Sequence, residues 1–594
     1  YPLRDVYKRQ VYAWVLWRNP THWLFWVPAL LPVLNLAPVS GRIMFDELDA
    51  LLLVTLAVLY FRLPERSRTA SSWLPFALMG VSAALSLIAG LWSPPPLDAN
   101  TFANYQSSFN ALRLGKGFLW ALLLGFWMRR YGFSMQRMAN RFAHGMTLGL
   151  LFTAGWVVWE RAAYPGFLNF EEDFRVTGPF VEMHTGGGAI EAYLVAAMPF
   201  AFLLWRRAAT MPVRLLAGLT MILAGYALGV TYARAGYIGM LAAVAVLLLG
   251  LGWRVLAHLW RGRSALSLTI LVSLVGAVSV LPLFLGDYMP KRFSNTARDA
   301  EVRTGHWRDS LAMMQPSEWL VGVGLGRYPG TYFWRNLEST TPSNYVFQQD
   351  EDNISLRLNA GQPLFFEQIV DLQSDRVYRF GLDVRASPGA ELVVLICEKA
   401  MLYSTRCITL KTPTDTTWRG KQIEVNTGQI GSGHWLGKRV VKLSLLARGG
   451  SGYVEVDNLN LQDLGGRELL RNGDFRSGMD YWNFATDQHL AWHAKNLPLH
   501  VLFEQGVLGL VAWVLLLGVV LSRLFRQMRL GDMAALAMLA AVVGMLVVGI
   551  FDSVLDVPRL SFLLLLMSAL AMAHAPLSKR QVSPAEAKRE IWSL

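Results

Sequence analysis

The sequence predicts a polytopic α-helical membrane protein with one β-rich domain inserted late in the chain. Of its 594 residues 53% are hydrophobic and 16% are charged, which is too apolar for a soluble protein of this length. Apolar runs of membrane-spanning length follow one another, separated by short polar loops. One long polar stretch, 288–497, interrupts them and changes the pattern to a strand-like one. We therefore expect about twelve transmembrane helices and an inserted antiparallel β-sandwich.

The apolar runs place about nine spanning helices before the polar stretch and about three after it. They lie at 22–39, 47–63, 72–92, 112–128, 143–160, 189–205, 213–232, 236–253 and 266–286, then at 498–522, 533–551 and 559–575. Residues 1–10 resemble neither a signal peptide nor a helix, so we expect the N-terminus to be truncated or artefactual.

Clusters of arginine fall in alternate loops between the apolar runs. They comprise Arg62, Arg66 and Arg68; Arg129, Arg130, Arg137 and Arg141; Arg206, Arg207 and Arg214; Arg254, Arg261 and Arg263; and Arg523, Arg526 and Arg529. Because basic residues mark cytoplasmic loops, both chain ends, with Lys579 and Arg580, are predicted to be cytoplasmic. The stretch 288–497 is then predicted to lie in the periplasm, on the outer side of a bacterial inner membrane. This topology explains the net charge of +13, so nucleic acid is not an expected partner.

The polar stretch contains about eight short segments rich in β-branched and aromatic residues. They lie at 354–359, 364–372, 377–386, 391–397, 407–411, 421–426, 440–446 and 453–461. Gly, Pro, Asp and Ser turns separate them, which predicts an antiparallel β-sandwich. The two cysteines of the chain, Cys397 and Cys407, fall at the ends of neighbouring strands. That position is compatible with one disulfide on the oxidising side of a membrane.

The segment 454–461, with Asn472-Gly-Asp-Phe475 and Trp482, resembles the jelly-roll modules of carbohydrate-binding proteins. The resemblance implies sugar binding, yet a rigid spacer or lid that binds nothing explains the same residues equally well. Both interpretations stay open at this point.

These observations divide the chain into a membrane part and a periplasmic part. Residues 11–287 are predicted to form helices 1–9, and 498–576 to form helices 10–12. The sandwich is predicted at 341–465, between two parts of a periplasmic loop at 288–340 and 466–497. Residues 577–594 are predicted to be a cytoplasmic tail.

Arg234 and Arg303 are candidates for a functional role. Arg234 lies in a very short outward connection, 231–236, and Arg303 follows the ninth apolar run on the same side. A charge at the membrane edge is costly and often functional. A snorkelling arginine is the alternative for Arg234. The glycine-rich segment 319–326 lacks the Lys-Ser/Thr ending of a phosphate loop and predicts a tight turn.

His500 and Glu504 are candidates for acid–base chemistry. They are separated by one helical turn at the start of the tenth apolar run, so they share a helix face. A histidine can accept a proton from an attacking hydroxyl group near neutral pH, and a neighbouring carboxylate can orient it. The alternative is that these residues form the polar start of a transmembrane helix, surrounded by lipid headgroups.

The order of these features resembles the O-antigen ligase and polymerase superfamily, membrane glycosyltransferases that act on glycans linked to undecaprenyl diphosphate. The resemblance covers the membrane part and not the β insertion. Its motifs are Arg234 in the short turn, Arg303 with Trp307 before the 322–326 turn, the segment 496–509, and the segment from Arg175 through Gly178, His184 and Glu191 to Tyr193. The resemblance implies a GT-C-like fold and inverting glycan transfer to a hydroxyl group at the periplasmic face, without a metal or another cofactor.

One position departs from the family's pattern. Lys495 stands where members of the family carry a catalytic histidine directly before an asparagine, and His493 and His500 flank it. The resemblance therefore implies that His493 or His500 is the base, with Glu504 beside it. It also implies that Arg175, Arg234 and Arg303 bind the diphosphate. No metal site is expected, because the outward loops show no compact carboxylate cluster.

Several functions remain compatible with the sequence. The expected donor is a glycan on undecaprenyl diphosphate, and the expected acceptor is lipid A core, another glycan or a protein. A polymerase of O antigen or exopolysaccharide would use the same donor. A twelve-helix transporter is a further alternative, although such folds commonly join two similar halves by a cytoplasmic loop. A sugar-sensing membrane protein that uses the β domain also stays open.

Overall fold

The computed structural model describes residues 2–573 except 63–72, 93, 132–134, 186–187, 260–262, 337–341, 343, 351–352, 413–414, 434–435 and 437–438. Predictions for Arg66, Arg68, Arg261, Lys579 and Arg580, and for the tail 577–594, lie outside the described residues. The side chains of Arg137, Arg254 and Arg263 lie outside them as well.

The helical part precedes and follows a β domain. Its helices are α1 (Pro2–Arg18), α2 (Trp23–Leu30), α3 (Ala37–Ser40), α4 (Glu47–Phe61), α5 (Leu74–Gly90), α6 (Asn110–Tyr131), α7 (Met135–Ala163), α8 (Ala189–Arg207), α9 (Met211–Gly229), α10 (Arg234–Leu259), α11 (Arg263–Phe284), α12 (Tyr288–Ser294), α13 (Thr296–Ala312), α14 (Tyr328–Arg335), α15 (Leu497–Arg529), α16 (Met533–Gly549) and α17 (Pro558–Ala573).

Six stretches of helix in the described residues are long and apolar enough to cross a membrane. They are Asn110–Arg130, Ala139–Ala163, Ala189–Arg207, Met211–Gly229, Arg234–Gly252 and Leu490–Arg529. Four shorter apolar helices accompany them, at Leu74–Gly90, Ile270–Pro282, Met533–Gly549 and Pro558–Ala573. Each predicted apolar run contains a helix, but the described residues give only six stretches that are both long and apolar enough to span a membrane, half of the twelve expected.

The N-terminal helices differ most from the sequence prediction. The predicted run 22–39 yields the eight-residue helix α2, which ends at Leu30. Pro28 and Pro32 both lack the N–H group that a continuing helix needs for its hydrogen bonds, so the helix ends early. The helix α1, in contrast, covers residues that were not expected to be helical.

The β domain consists of two five-stranded antiparallel sheets, which confirms the predicted antiparallel arrangement. Their orders are β1-β2-β9-β4-β7 and β10-β3-β8-β5-β6. The strands are β1 (Tyr345–Asp350), β2 (Asn353–Asn359), β3 (Leu364–Val370), β4 (Val377–Ala386), β5 (Glu391–Ala400), β6 (Tyr403–Thr412), β7 (Arg419–Asn426), β8 (Val440–Arg448), β9 (Tyr453–Asp463) and β10 (Asn483–Thr486). Buried residues of both sheets, such as Phe380 and Leu443, form one core between them.

The sandwich extends beyond the predicted boundary at residue 465. The strand β10 pairs with β3 through Phe484 and Phe366, and Trp482 stacks on Phe366 with ring centroids 5.1 Å apart. This strand has four residues, too few for alternation to show in the sequence. Cys397 and Cys407 are directly opposite on β5 and β6, and their sulfur atoms are bonded.

The β domain packs directly on one end of the helical part. Tyr345 donates a hydrogen bond of 2.6 Å to the carbonyl oxygen of Ala103, and Phe484 packs against Tyr105. Further along, the hydroxyl group of Tyr403 accepts a 3.0 Å hydrogen bond from the backbone N–H of Arg175. The sandwich therefore sits beside the segment that leads into α8.

The glycine run 319–326 forms turns that pack against a break in α15. Gly324 has a φ of +112°, and a Cβ atom there would lie 2.3 Å from the backbone nitrogen of Gly90. Its N–H donates to the carbonyl oxygen of Glu504 at 3.1 Å, just before Gly506 interrupts the helix with a φ of 65°. Only glycine combines this conformation with this close approach, so the run is explained by backbone packing.

A buried charge network holds the second sheet together. Glu367 is 2% exposed and forms ion pairs with Lys442 and Lys399. Burial alone would raise the pKa of Glu367, but the two ammonium groups outweigh it and lower the pKa. The network therefore stabilises the fold above the ordinary glutamate pKa, and this contribution is lost as the pH falls through the lowered value.

We expect Glu367→Ala to lower the free energy of unfolding by about 3–5 kcal/mol at pH 7, because it leaves buried ammonium groups unpaired. Thermal unfolding of the detergent-solubilised chain measures this. Glu424→Ala is the matched control, since its ion pair with Arg379 is exposed and is worth about 0.5 kcal/mol. The stability difference between wild type and Glu367→Ala should shrink below about pH 4; equal stabilities at pH 7 would contradict the prediction.

Candidate active site

Three segments meet at the end of the helical part on which the β domain packs. They are the 3-10 helix Val181–Thr185, the chain before α15, and the connection between α16 and α17. Asn496, which belongs to the predicted motif, caps α15 by accepting from the N–H of Leu499 at 2.9 Å. Its side-chain amide donates to the carbonyl oxygen of Ile550, also at 2.9 Å. Asn496 thus ties the start of α15 to the end of α16.

His493 and Asp556 form a buried pair at this junction. The His493 Nδ1 atom lies 2.5 Å from a carboxylate oxygen of Asp556. Burial alone would raise the pKa of Asp556, but the charge and hydrogen bond of His493, with smaller effects of His500 and Lys495, lower it. The carboxylate is therefore ionised and fixes the orientation of the imidazole ring.

The other ring nitrogen of His493 faces Thr185. Nε2 lies 3.0 Å from the carbonyl oxygen of Thr185 and 3.2 Å from its hydroxyl oxygen. The Thr185 hydroxyl group can donate to an unprotonated Nε2 and the Thr185 carbonyl oxygen can accept from a protonated one, so the surroundings fit Nε2 before and after it takes up a proton. An acceptor hydroxyl group that approaches Nε2 would take the place of the Thr185 contact.

The backbone of His493 is held by α13. His306, on this helix, lies with Nε2 2.9 Å from the carbonyl oxygen of His493 and 2.9 Å from the hydroxyl group of Tyr328. The N–H of Tyr328 donates to Glu504 at 3.3 Å. A continuous network therefore joins α13, α14 and α15 around the candidate base.

His500 and Glu504, predicted to share a helix face, form a second pair. His500 Nε2 lies 3.1 Å from a carboxylate oxygen of Glu504, and both side chains are buried. Among the described residues, Nδ1 of His500 has no hydrogen-bond partner. Both pairs, together with Arg113, line one cavity of about 20 Å³, which is enough for about one water molecule.

Positive charges gather beside His493. Arg175 lies 3.9 Å from Glu191, and Lys495 lies 3.3 Å from Asp552. Glu191 is within electrostatic range of Arg175, Asp552 and Lys495, so these four groups form one cluster. Lys495 has a φ of +53°, a left-handed conformation that costs a lysine about 1–2 kcal/mol and is typical of functional sites.

Arg303 belongs to the same region. Its guanidinium group donates to the carbonyl oxygen of Phe551, the residue before Asp552. Partial desolvation, with the charges of Lys495, His493, Arg175 and Arg303, lowers the pKa of His489. The region therefore combines Arg175, Arg303 and Lys495 with the carboxylates of Glu191 and Asp552.

The Arg234 side chain points toward α12 and α13. Its guanidinium group donates to the carbonyl oxygen of Arg292 at 3.2 Å and to the hydroxyl group of Thr296 at 2.7 Å. It also forms an ion pair with Asp299. Arg234 thus anchors α12 and α13 to the outer end of α10, whereas the resemblance assigns it to the diphosphate.

Sequence reasoning missed Asp552 and Asp556 and passed over Lys495 as a departure from a motif. A signal for the carboxylates existed, because they lie with Arg559 in a short connection between two apolar runs, where charges are costly. His184, part of a family-like segment, is instead structural. Burial lowers its pKa to about 4, and it packs against Phe484.

Comparisons with known proteins do not identify the chain. Neither a scan against protein-family models nor a search of curated proteins finds a match. Within the part of the chain that the structure describes, no group of three or more His, Cys, Asp and Glu side chains could hold a metal ion. The site geometry is therefore the basis for the function proposed below.

Proposed function

We propose that the protein is a membrane glycosyltransferase that transfers a glycan from undecaprenyl diphosphate to a hydroxyl group at the periplasmic face of the inner membrane. All twelve apolar runs then belong to the membrane part, with the shorter helices packed among those of spanning length. One observation carries the proposal: Arg175, Arg303, Lys495 and His493 all lie within electrostatic range of His489, and His493 is paired with Asp556. The O-antigen ligase and polymerase resemblance implies His493 or His500 as the base and Arg175 and Arg303 at the diphosphate, but it implies Arg234 rather than Lys495 as the third cation.

The cations suit the leaving group. A lipid diphosphate carries negative charge and gains more as its bond to the sugar breaks. Arg175 and Arg303 stay charged at any relevant pH and can bind phosphate oxygens bidentately. Lys495 adds a third charge at a partly desolvated position, where electrostatic stabilisation of developing charge is strongest.

The His493–Asp556 pair suits the acceptor. The acceptor oxygen attacks the anomeric carbon, the carbon–oxygen bond to the diphosphate breaks, and the electron pair leaves with the diphosphate. The acceptor proton moves to Nε2 of His493, and Asp556 stabilises the resulting imidazolium. A single displacement of this kind inverts the anomeric configuration. His500 and Glu504 line the same cavity as the His493–Asp556 pair.

Transfer is expected to continue undiminished in excess EDTA. In the proposed reaction the guanidinium and ammonium groups neutralise the charge of the diphosphate, as a metal ion does in other enzymes. The reaction therefore needs no divalent ion. The rate of transfer with EDTA, with magnesium and with neither measures this. A loss of activity in EDTA that magnesium restores would contradict the expectation.

The proposal is tested by transfer in vitro from a synthetic undecaprenyl-diphosphate oligosaccharide. The purified chain in detergent is offered lipid A core or a second lipid-linked oligosaccharide as the acceptor. A product on lipid A core identifies a ligase, and a lengthened lipid-linked chain identifies a polymerase. No product with either acceptor, combined with sugar uptake by proteoliposomes, would favour a transporter and overturn the proposal.

A further inference from the structure

An open groove of about 460 Å³ lies on the β domain, away from the candidate active site. Binding sites for small molecules commonly have volumes of about 300–1,000 Å³. Its apolar lining includes Ile369, Val440 and Tyr481, each with a substantially exposed side chain. Its polar lining includes Arg439, Arg467 and Arg471.

Two of the charged side chains that line the groove already have partners. Arg439 is paired with Glu398 at 3.1 Å. The carboxylate of Glu468 accepts backbone N–H groups of Leu461, Leu469 and Leu470, so it is directed toward its own loop.

Arg467 and Arg471 are the available cations. Both side chains are exposed, and within the described ranges neither forms an ion pair with a carboxylate. Arg471 lies over the ring of Tyr481, 5.0 Å from its centroid, which holds the guanidinium group at the groove without neutralising it. The lining also contains the carboxylates of Asp371 and Glu468, so the groove offers an anion these two exposed guanidinium groups and not a general positive charge.

We propose that this groove binds an acidic glycan, whose rings carry carboxylate groups. An acidic pyranose has an apolar face for Tyr481 and Ile369 and a carboxylate that a guanidinium group binds bidentately. The groove is open to solvent, so a sugar ring that belongs to a longer chain can enter it. Binding here does not require the transfer reaction, and its failure would leave the proposed function standing.

The experiment uses the full chain in detergent and two hexasaccharides of galacturonic acid, one free and one fully methyl-esterified. Isothermal titration calorimetry is expected to show at least tenfold tighter binding of the free acid. The double variant Arg467→Ala/Arg471→Ala should remove this preference, and Tyr481→Ala should weaken binding of both oligosaccharides. Arg476→Ala is the matched control, since Arg476 is an exposed arginine paired with Asp474.

Three results would overturn the proposal. The wild type could bind neither oligosaccharide, or bind both equally. The Arg467→Ala/Arg471→Ala variant could bind the free acid as wild type does. Binding of phosphatidylglycerol micelles that depends on the same arginines, without binding of galacturonate, would assign the groove to an anionic lipid.

Discussion

Replacing His493 with glutamine is expected to lower the turnover number of glycan transfer by about 10²–10⁴-fold, the usual contribution of a general base. Glutamine keeps a polar side chain near Thr185 but cannot accept the proton of the acceptor. The Michaelis constant for the lipid-linked donor should change little, since His493 acts on the acceptor. Initial rates of transfer at saturating donor and acceptor concentrations measure the effect.

Asp556→Asn should reproduce most of this loss. The amide keeps the shape of the side chain but no longer stabilises the imidazolium, whereas the carboxylate lies 2.5 Å from Nδ1 in the wild type. Because the two side chains act as one unit, the double variant should be scarcely slower than His493→Gln alone. An additive loss would show that they act separately.

Two comparisons make this prediction specific. His144→Gln changes an exposed histidine whose ring bonds to the carbonyl oxygen of Asn140 in its own helix, so it should retain wild-type rates. His500→Gln should reduce activity less than His493→Gln. Full activity of His493→Gln together with inactivity of His500→Gln would transfer the role of base to the His500–Glu504 pair.

Local sequence features were sufficient for part of this site. His500 and Glu504 are four positions apart on one helix, so helical spacing predicted their contact. The eight predicted strands all occur, because each has β-rich residues and a turn at its ends. These predictions depend on neighbours within a few residues along the chain.

Contacts between residues far apart in the sequence could not be predicted. Asp556 is 63 residues from His493 along the chain, and no periodicity relates the two. The strand order, which places β9 between β2 and β4, depends on packing between distant segments. Arg234 was predicted to follow a tight connection, and Thr231 and Tyr232 do form a turn before α10. What its guanidinium group contacts depends on α13, which begins 62 residues later.

Arg303→Ala is expected to lower the specificity constant for the lipid-linked donor by about 10²-fold. A charge-assisted hydrogen bond contributes about 1.5–3 kcal/mol, and the loss should be larger in the transition state, when the diphosphate gains charge. Arg175→Ala should have a similar effect, and lysine at either position should restore only part of it, because lysine cannot bind bidentately. Arg308→Ala, an exposed arginine on the same helix as Arg303, is the matched control.

Arg234 separates the structural interpretation from the one implied by the family resemblance. If Arg234 anchors α13, then Asp299→Ala should impair transfer as much as Arg234→Ala does, and the double variant should be no worse than either. The reason is that one ion pair joins the two side chains, and loosening α13 would displace both Arg303 and the His306 contact to His493. If Arg234 instead binds the diphosphate directly, Arg234→Ala should abolish transfer while Asp299→Ala leaves it intact. Measuring the specificity constants of the three variants decides whether two or three arginines bind the donor.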